Sequence, residues 1–279
     1  QPVVNFIVRA VDDILKTDFN LPQGLADTSK TKIKKKTVTQ TGTGMNSKIK
    51  EVETEVEVHK VQILDPATGT GTFLAEVVKH IYKKFEGQQG IWSKYVANDL
   101  IPRLNGFELL MASYAMAHLK MDMLLTETGY KPTDDQRFKI FLTNSLEEAH
   151  QDSGTLFSSW LSDESNQANE IKRDTPVMVI IGNPPYSGES ANKGEWIMKL
   201  MEDYKKEPGG KEKLKERNPK WINDDYVKFL RFGQHFIEKN GEGVLAFINP
   251  HGFLDNPTFR GMRWRPCCFR RRWNVAKPR

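Results

Sequence analysis

The sequence predicts an α/β fold in which a parallel sheet is covered by helices on both faces. Short apolar runs alternate with segments of helical periodicity from Val61 onward. The apolar runs are nearly continuous, as expected for strands that are buried on both faces of a sheet. Polar or glycine-rich turns follow several of these runs, and the carboxyl ends of parallel strands are where such sheets bind ligands.

The chain opens with an amphipathic helix and a hairpin. The apolar residues that recur at helical spacing are Val3, Ile7, Ala10, Val11, Ile14 and Leu15. Two segments with period-two alternation, TVTQTGTG and EVETEVEV, flank Gly42 and Gly44 and predict a hairpin inserted within residues 20–58. We expect the five lysines between positions 30 and 36 to lie in a solvated loop rather than to contact DNA.

Five strands of the main sheet are visible in the sequence. They are VQILD, a short strand ending in NGFE, FKIFLTN, VMVII and GVLAFINP. The first leads into a helix from about Gly71 to Phe85, and the second into a helix over LLMASYAMAHLKMDMLL. A polar stretch precedes the fourth strand. A charged insertion, residues 187–220, should be helical in part, and Asp224 should cap a helix that ends near Lys239.

Composition excludes several classes of protein. Hydrophobic residues make up 38% and charged residues 28%, as in ordinary globular proteins. The longest apolar run is Val177–Ile181, whereas a membrane span needs ~20 such residues. No signal-peptide pattern is present, so we expect a cytoplasmic protein. The adjacent Cys267 and Cys268 form neither a disulfide framework nor a metal site, and the six histidines have no metal-binding spacing.

The net charge of +5 comes from one end of the chain. Residues 263–279 contain six arginines, one lysine and no acidic residue, which leaves a charge of −2 for residues 1–262. Residues 264–279 show no helical or strand period, and they are basic enough to form a phosphate-binding arm. Because the chain also begins at Gln1 rather than at a methionine, we expect it to be incomplete at both ends.

A glycine-rich turn follows the first strand in LDPATGTGTFL. Asp65 ends the strand, and Gly69 and Gly71 lie in the turn into the helix. Glycines let the backbone approach a ligand, and a helix amino terminus offers unpaired N–H groups. The spacing lacks the third glycine of the dinucleotide fingerprint. Glu108, which ends the second strand, is able to bind two ribose hydroxyls. A tight connection and a surface carboxylate are the alternatives.

A rigid turn, Asn183-Pro184-Pro185-Tyr186, follows the strand VMVII. Each proline fixes its own φ angle and restricts the residue before it. The Asn183 side-chain oxygen and the neighbouring backbone carbonyl are two acceptors that suit an NH₂ group with two donors. Tyr186 offers a flat face for a planar ring. The turn therefore predicts a site for an aromatic amine, and a purely structural turn is the alternative.

The order of DPATGTGTFL and NPPY resembles that in the S-adenosylmethionine-dependent N6-adenine DNA methyltransferases. It is the gamma arrangement of type I modification subunits and fused restriction–modification enzymes. Three further segments, QPVVNFIVRAVDDIL, GFELLMASYAMAHLK and NPHGFLDNPTFRGMR, are similar to the leading helix, the ribose-binding unit and the type ISP enzymes, respectively. The resemblance covers residues 1–263 and implies a Rossmann-like class I methyltransferase domain over them. Because the family continues differently after Arg263, the resemblance implies that residues 264–279 are a non-native tail.

The resemblance implies a role for each candidate site residue. The cofactor-binding residues would be Asp65, Ala67, Gly69, Gly71 and Phe73 around the methionine side, Glu108 at the ribose, and Asn144 and Ser145 at the cofactor adenine. The family often has Asp where this chain has Asn144. The catalytic residues would be Asn183 and Pro184, whose oxygens bind the target amino group, Pro185 in the same turn, and Tyr186, which stacks on the base. Phe253 is a candidate second aromatic wall.

The resemblance also implies the reaction partners. The methyl donor would be S-adenosylmethionine, and the acceptor would be an adenine flipped out of double-stranded DNA. A target-recognition domain or specificity subunit would lie elsewhere. No metal role is expected. Two alternatives stay open: an amino-methyltransferase acting on RNA or protein glutamine, and a non-catalytic fragment that binds DNA or a partner. A dinucleotide-dependent dehydrogenase fits poorly, because the glycine pattern is wrong and leaves NPPY unexplained.

Overall fold

The structure is a computed structural model that describes residues 2–41, 48–132, 136–148, 159–188, 190–216 and 219–268. Helix α1, Pro2–Asp18, begins the fold, as the sequence predicts. Its buried apolar residues recur three or four positions apart and join the larger hydrophobic cluster; they are Val4, Val8, Val11 and Leu15. The helix therefore exists because one apolar stripe can be buried against the sheet layer.

The predicted hairpin is confirmed, and it is longer than expected. Strand β1, Lys30–Thr41, pairs in antiparallel fashion with β2, Lys48–His59, while Gly42 and Gly44 lie outside the described residues. Lys30, Lys32 and Lys34 are exposed, as predicted, but they lie in a strand and not in a loop. Lys32 lies opposite Glu57 and Lys34 opposite Glu55. Opposite charges facing each other across the ladder stabilise the pair, so the lysines belong to the strand.

The five predicted strands form one parallel sheet. Their bounds are β3 Gln62–Asp65, β4 Leu104–Glu108, β5 Lys139–Leu142, β6 Val177–Gly182 and β7 Val244–Phe247. The order across the sheet is β5-β4-β3-β6-β7. The chain moves outward from β3 to β5 and then returns to the other side of β3. The carboxyl ends of β3 and β6 therefore meet at the switch point of the sheet, where ligands bind in such folds.

Helices cover both faces of this sheet. Their bounds are α2 Thr72–Tyr82, α3 Gln89–Tyr95, α4 Met111–Glu127, α5 Ser159–Asp174, α6 Glu195–Met201, α7 Asp225–Asn240, α8 Gly252–Asp255 and α9 Arg260–Cys268. Neighbouring strand residues enter opposite cores. Ile63 packs with α1, α2 and α4, whereas Leu64 packs with α6 and α7. This alternation buries every residue of β3 and confirms the predicted two-sided sheet.

Three helices show where sequence patterns succeeded and failed. Asp224 caps α7 as predicted, because its side chain accepts a hydrogen bond from the Tyr226 N–H at 3.3 Å. Helix α5 occupies part of the stretch that was expected only to be polar. Helix α9 continues to Cys268, so the expected lack of helical structure from residue 264 is wrong for its first five residues. Arg265 in this helix pairs with Asp203 at 3.0 Å, whereas residues 269–279 lie outside the described part.

Candidate active site at the carboxyl edge of the sheet

The glycine-rich turn between β3 and α2 is preformed around Asp65. The Asp65 Oδ1 atom accepts the Ala67 N–H at 3.1 Å, and the Thr68 hydroxyl donates to the Asp65 carbonyl at 3.0 Å. Gly69 and Gly71 have φ angles of 55° and 76°, in the left-handed region that glycine favours. A Cβ atom at Gly69 would meet no atom within 4 Å. The turn therefore leaves open space over its backbone.

The second carboxylate oxygen of Asp65 is a buried acceptor without a partner among the described residues. Asp65 is only 1% exposed, and its Oδ2 atom has no hydrogen bond. Burial raises the pKa of Asp65 to about 8; the Glu108 charge raises it further, while the Ala67 N–H opposes the shift. A bound group that carries a donor or a positive charge nearby would satisfy this oxygen and favour the ionised form of Asp65.

Replacing Asp65 with asparagine should flatten the pH dependence of stability. The folded pKa of about 8 lies above the ordinary 3.8, so between these values the fold holds a proton that the unfolded chain releases. The contribution of Asp65 to stability is therefore complete below about pH 4 and falls until about pH 8, by at most ~1.4 kcal/mol per pH unit. Denaturant unfolding at a series of pH values should show that the free energy of unfolding of the wild type falls relative to that of the variant as the pH rises through this window. Parallel profiles would contradict the assignment.

Glu108 holds the glycine-rich turn from the next strand. Its Oε2 atom accepts the Gly69 N–H at 2.7 Å, and its Oε1 atom accepts the Leu110 N–H at 2.8 Å. The side chain is 9% exposed. Each carboxylate oxygen keeps a further lone pair, so ribose hydroxyls are still able to donate to it. The sequence pattern indicated the ribose role, but it contained no signal for the bond to a turn that lies far away in the chain.

The loop after β5 brings Asn144 and Ser145 to the same edge. The Ser145 hydroxyl donates to the Pro66 carbonyl at 2.5 Å, so this loop is tied to the glycine-rich turn. The Asn144 Oδ1 atom accepts the Leu146 N–H at 3.0 Å, which leaves this oxygen one further lone pair for a ligand. Phe73, in the first turn of α2, is 3% exposed, and its ring belongs to the hydrophobic core.

Lys172 on α5 supports this loop and was missed by the sequence reasoning. Its ammonium donates to the Asn144 carbonyl at 2.7 Å and to the Glu147 carbonyl at 3.2 Å, and it lies 5.6 Å from the centre of the Phe107 ring. Burial lowers the pKa of Lys172 to about 8, and the Glu147 charge opposes this shift. The residue escaped notice because α5 itself was not predicted.

The Asn183-Pro-Pro-Tyr turn leaves the end of β6 next to Asp65. A Cβ atom on Gly182 would lie 2.6 Å from the Asp65 Oδ1 atom, so the two strand ends pack directly together. Asn183 is exposed, Pro184 is buried and Pro185 is exposed. The Tyr186 hydroxyl lies 3.0 Å from both the Asn183 Oδ1 atom and the Ile248 carbonyl. Asn183 is thus oriented by its own turn, with a lone pair left for a substrate donor.

Aromatic rings surround the exposed side of this turn. The Tyr186 side chain is 51% exposed, and burial of its remainder raises its pKa, so its hydroxyl stays protonated at neutral pH. The Tyr186 and Tyr226 rings pack edge to face with their centroids 6.2 Å apart, and the centroid of the Phe253 ring lies 6.4 Å from that of Tyr226. Phe253 therefore reaches Tyr186 through Tyr226, a residue that the sequence reasoning did not select.

The arrangement joins a turn with open space and a buried carboxylate to a second turn with amide and aromatic groups. A family model described as N-6 DNA Methylase matches residues 46–261. The chain belongs to the N-6 DNA Methylase family. The family predicted from the sequence is thereby confirmed. Within the described ranges of this family member, no group of three or more His, Cys, Asp or Glu side chains is placed to hold a metal ion. In the same ranges, every helix is too short or too polar to cross a membrane.

Three solved structures share the fold of this chain. The ATP-dependent type ISP restriction-modification enzyme LlaBIII bound to DNA has a TM-score of 0.66 at 22% identity, and the match covers 94% of this chain and 15% of that chain. A nuclease-deletion mutant of the type ISP enzyme LlaGI in complex with a DNA substrate mimic has a TM-score of 0.68 at 23% identity, with 94% and 18% covered. The DrdV–DNA complex has a TM-score of 0.60 at 25% identity, with 94% and 21% covered. No curated protein sequence matches the chain.

Proposed function

We propose that this chain transfers a methyl group from S-adenosylmethionine to the N6 amino group of adenine in DNA, as the modification part of a restriction–modification enzyme. The observation that carries the proposal is the direct packing of Gly182 on Asp65, at 2.6 Å for a Cβ placed on the glycine. We call Asn183-Pro184-Pro185-Tyr186 the acceptor turn. The contact brings the start of this turn beside the glycine-rich turn, in a chain that belongs to the N-6 DNA Methylase family.

The residues around Asp65 fit the methyl donor. Glu108 would bind the ribose hydroxyls with the lone pairs that its two backbone bonds leave free. The open space over Gly69 admits the ligand, and the unpartnered Asp65 oxygen favours a positively charged group nearby. Asn144 would accept from the adenine amino group of the cofactor. The cofactor supplies a methyl group activated by its positively charged sulfur.

The acceptor turn would prepare the target nitrogen. The Asn183 Oδ1 atom and the Pro184 carbonyl would each accept a hydrogen bond from the N6 amino group, which makes that nitrogen more electron-rich. The nitrogen would then be able to take the activated methyl group in exchange for one proton, which would pass to water, and the donor would leave as S-adenosylhomocysteine. The Tyr186 hydroxyl holds the Asn183 oxygen before the substrate arrives, and such preorganised acceptors lower the barrier.

Double-stranded DNA is the proposed partner, with the target adenine flipped onto the exposed Tyr186 ring. One of the similar structures is bound to DNA, the second is in complex with a DNA substrate mimic, and the third is a DNA complex. The chain spans 15% to 21% of the length of these structures, which supports a target-recognition domain or specificity subunit outside it. We place its action in the cytoplasm.

Transfer of a labelled methyl group tests this function. The protein is incubated with S-adenosylmethionine carrying a labelled methyl and, in parallel, random-sequence duplexes, duplexes of only G·C pairs, RNA and protein. We expect label only in the random-sequence duplexes. Label in RNA or protein would favour the alternative amino-methyltransferase, and bound cofactor without any transfer would favour a non-catalytic fragment.

A further inference from the structure

Asn192 lies in the loop between β6 and α6 and is bonded to two other parts of the site. Its Oδ1 atom accepts the Asn144 side-chain N–H at 3.1 Å. Its own Nδ2 atom donates to the Asp225 Oδ1 atom at 3.0 Å. The first bond reaches the loop after β5, which belongs with Asp65 and Glu108 to the proposed cofactor side. The second bond reaches the first turn of α7, which packs against the acceptor turn on the acceptor side. One side chain thus connects segments that are distant in the sequence.

The start of α7 carries the acceptor turn. The Asp224 Oδ1 atom accepts the Ser187 N–H at 3.1 Å, directly after the Asn183-Pro-Pro-Tyr turn. The Tyr226 ring contacts the Tyr186 ring at 6.2 Å. Any shift of this helix end is therefore transmitted to the stacking ring and to the backbone beside it. Asp225, the Asn192 partner, lies between these two residues in the same turn.

Several hydrogen bonds hold the loop after β5 on the cofactor side. The Ser145 hydroxyl donates to the Pro66 carbonyl of the glycine-rich turn, and Lys172 donates to the Asn144 carbonyl at 2.7 Å. The second N–H of the Asn144 amide donates to Glu147 at 3.1 Å. Asn144 therefore moves with the cofactor-side loop, and among its hydrogen bonds to described residues the bond to Asn192 is the one that leads toward the acceptor side.

We propose that Asn192 is a positioning residue that couples the cofactor side to the acceptor side, so that each ligand tightens the binding of the other. The inference rests on the proposed function, because it needs both a cofactor and a DNA ligand. Coupling of this kind is reciprocal, and a change of about fivefold or more in affinity is typical. Asn192 acts through Asn144 and Asp225 and needs no contact with the reacting atoms.

Two variants separate this coupling from general support of the loop. Asn192→Ala removes both side-chain bonds but keeps the two backbone bonds, from its N–H to the Ser190 hydroxyl at 3.1 Å and from Lys228 to its carbonyl. Ser190→Ala is the matched control. It removes a hydroxyl that contacts Asp225 at 2.5 Å, Lys228 at 2.7 Å and the Asn192 N–H at 3.1 Å, yet it leaves both side-chain bonds of Asn192 in place.

The experiment measures DNA affinity with and without S-adenosylhomocysteine, the unreactive product of the donor. The probe is a labelled duplex carrying a site that the protein methylates. In the wild type and in Ser190→Ala, we expect the product to tighten DNA binding about fivefold or more. In Asn192→Ala, we expect less than about twofold tightening, with each ligand alone bound within about threefold of its wild-type affinity.

The outcomes distinguish this inference from the proposed function. A wild type that binds neither ligand counts against the proposed function and removes the basis of the coupling. A wild type that methylates DNA but shows no mutual tightening overturns the coupling alone. The coupling is also overturned if Asn192→Ala keeps the full tightening, or if Ser190→Ala loses it to the same extent, since the loop as a whole would then be responsible.

Discussion

Replacing Asn183 with alanine should lower the rate of methyl transfer by about 10²- to 10³-fold, the loss typical of removing one preorganised electrostatic group. The side-chain oxygen of Asn183 is one of two acceptors proposed for the target amino group, and alanine leaves no replacement. Asn183 is exposed at the end of β6 and bonds only within its own turn among the hydrogen bonds described, so the core stays intact. We expect cofactor affinity to change less than about threefold.

A graded variant tests the preorganisation of that acceptor. Tyr186→Phe keeps the aromatic ring but removes the hydroxyl that lies 3.0 Å from the Asn183 Oδ1 atom. The change also removes the contact with the Ile248 carbonyl, but the Asn183 oxygen itself remains, so we expect a smaller loss of about tenfold. Single-turnover methyl transfer and cofactor calorimetry on both variants measure the two effects. Full activity in Asn183→Ala would show that the acceptor assignment is wrong.

Replacing Glu108 with alanine should have the largest combined effect on binding and stability. The carboxylate accepts hydrogen bonds from the Gly69 and Leu110 N–H groups. Its removal leaves these two partly buried donors without that partner and costs about 2 kcal/mol or more of unfolding free energy. It also removes the proposed ribose contacts, and we expect cofactor affinity to fall by about 10²-fold. Calorimetry below the unfolding temperature of the variant measures the binding loss separately from the stability loss.

Glu108→Gln is the matched variant for this position. Glutamine keeps one acceptor oxygen, so one of the two backbone N–H groups regains its partner and part of the stability returns. The amide nitrogen is a donor and cannot accept a ribose hydroxyl on that side, so cofactor binding should stay weak. Wild-type cofactor affinity in Glu108→Gln would instead mean that Glu108 serves only to shape the glycine-rich turn.

The sheet was predictable because its strands are buried on both faces. Continuous apolar runs such as Val177–Ile181 have few other stable placements, and the turns that follow them fall at one edge. The helix α5 was not predictable in the same way. Its buried face includes Lys172 and Glu164, and Glu164 accepts a hydrogen bond from the Tyr114 hydroxyl at 2.9 Å. Charged residues therefore occupy positions at which a helix is normally recognised by its apolar periodicity.

The residue types of the site were predictable, but their support was not. Asp65 and Glu108 are the last residues of their strands, Asn183 directly follows β6, and their chemistry indicates their roles. The bonds from Gly69 to Glu108 and from Asn144 to Asn192 join segments that only the folded sheet brings together. The lysine run in β1 shows the same limit, since its glutamate partners lie on another strand. Pairing across the fold, rather than local pattern, decides such contacts.

Identification of the methylated atom tests the central claim most directly. DNA is incubated with the protein and S-adenosylmethionine, digested to nucleosides and examined by mass spectrometry against reference compounds. A cofactor site at Asp65 and Glu108, joined to an acceptor turn at Asn183, predicts N6-methyldeoxyadenosine as the product. Methylated cytosine, or unmodified DNA from a protein that binds both the cofactor and the duplex, would contradict this account.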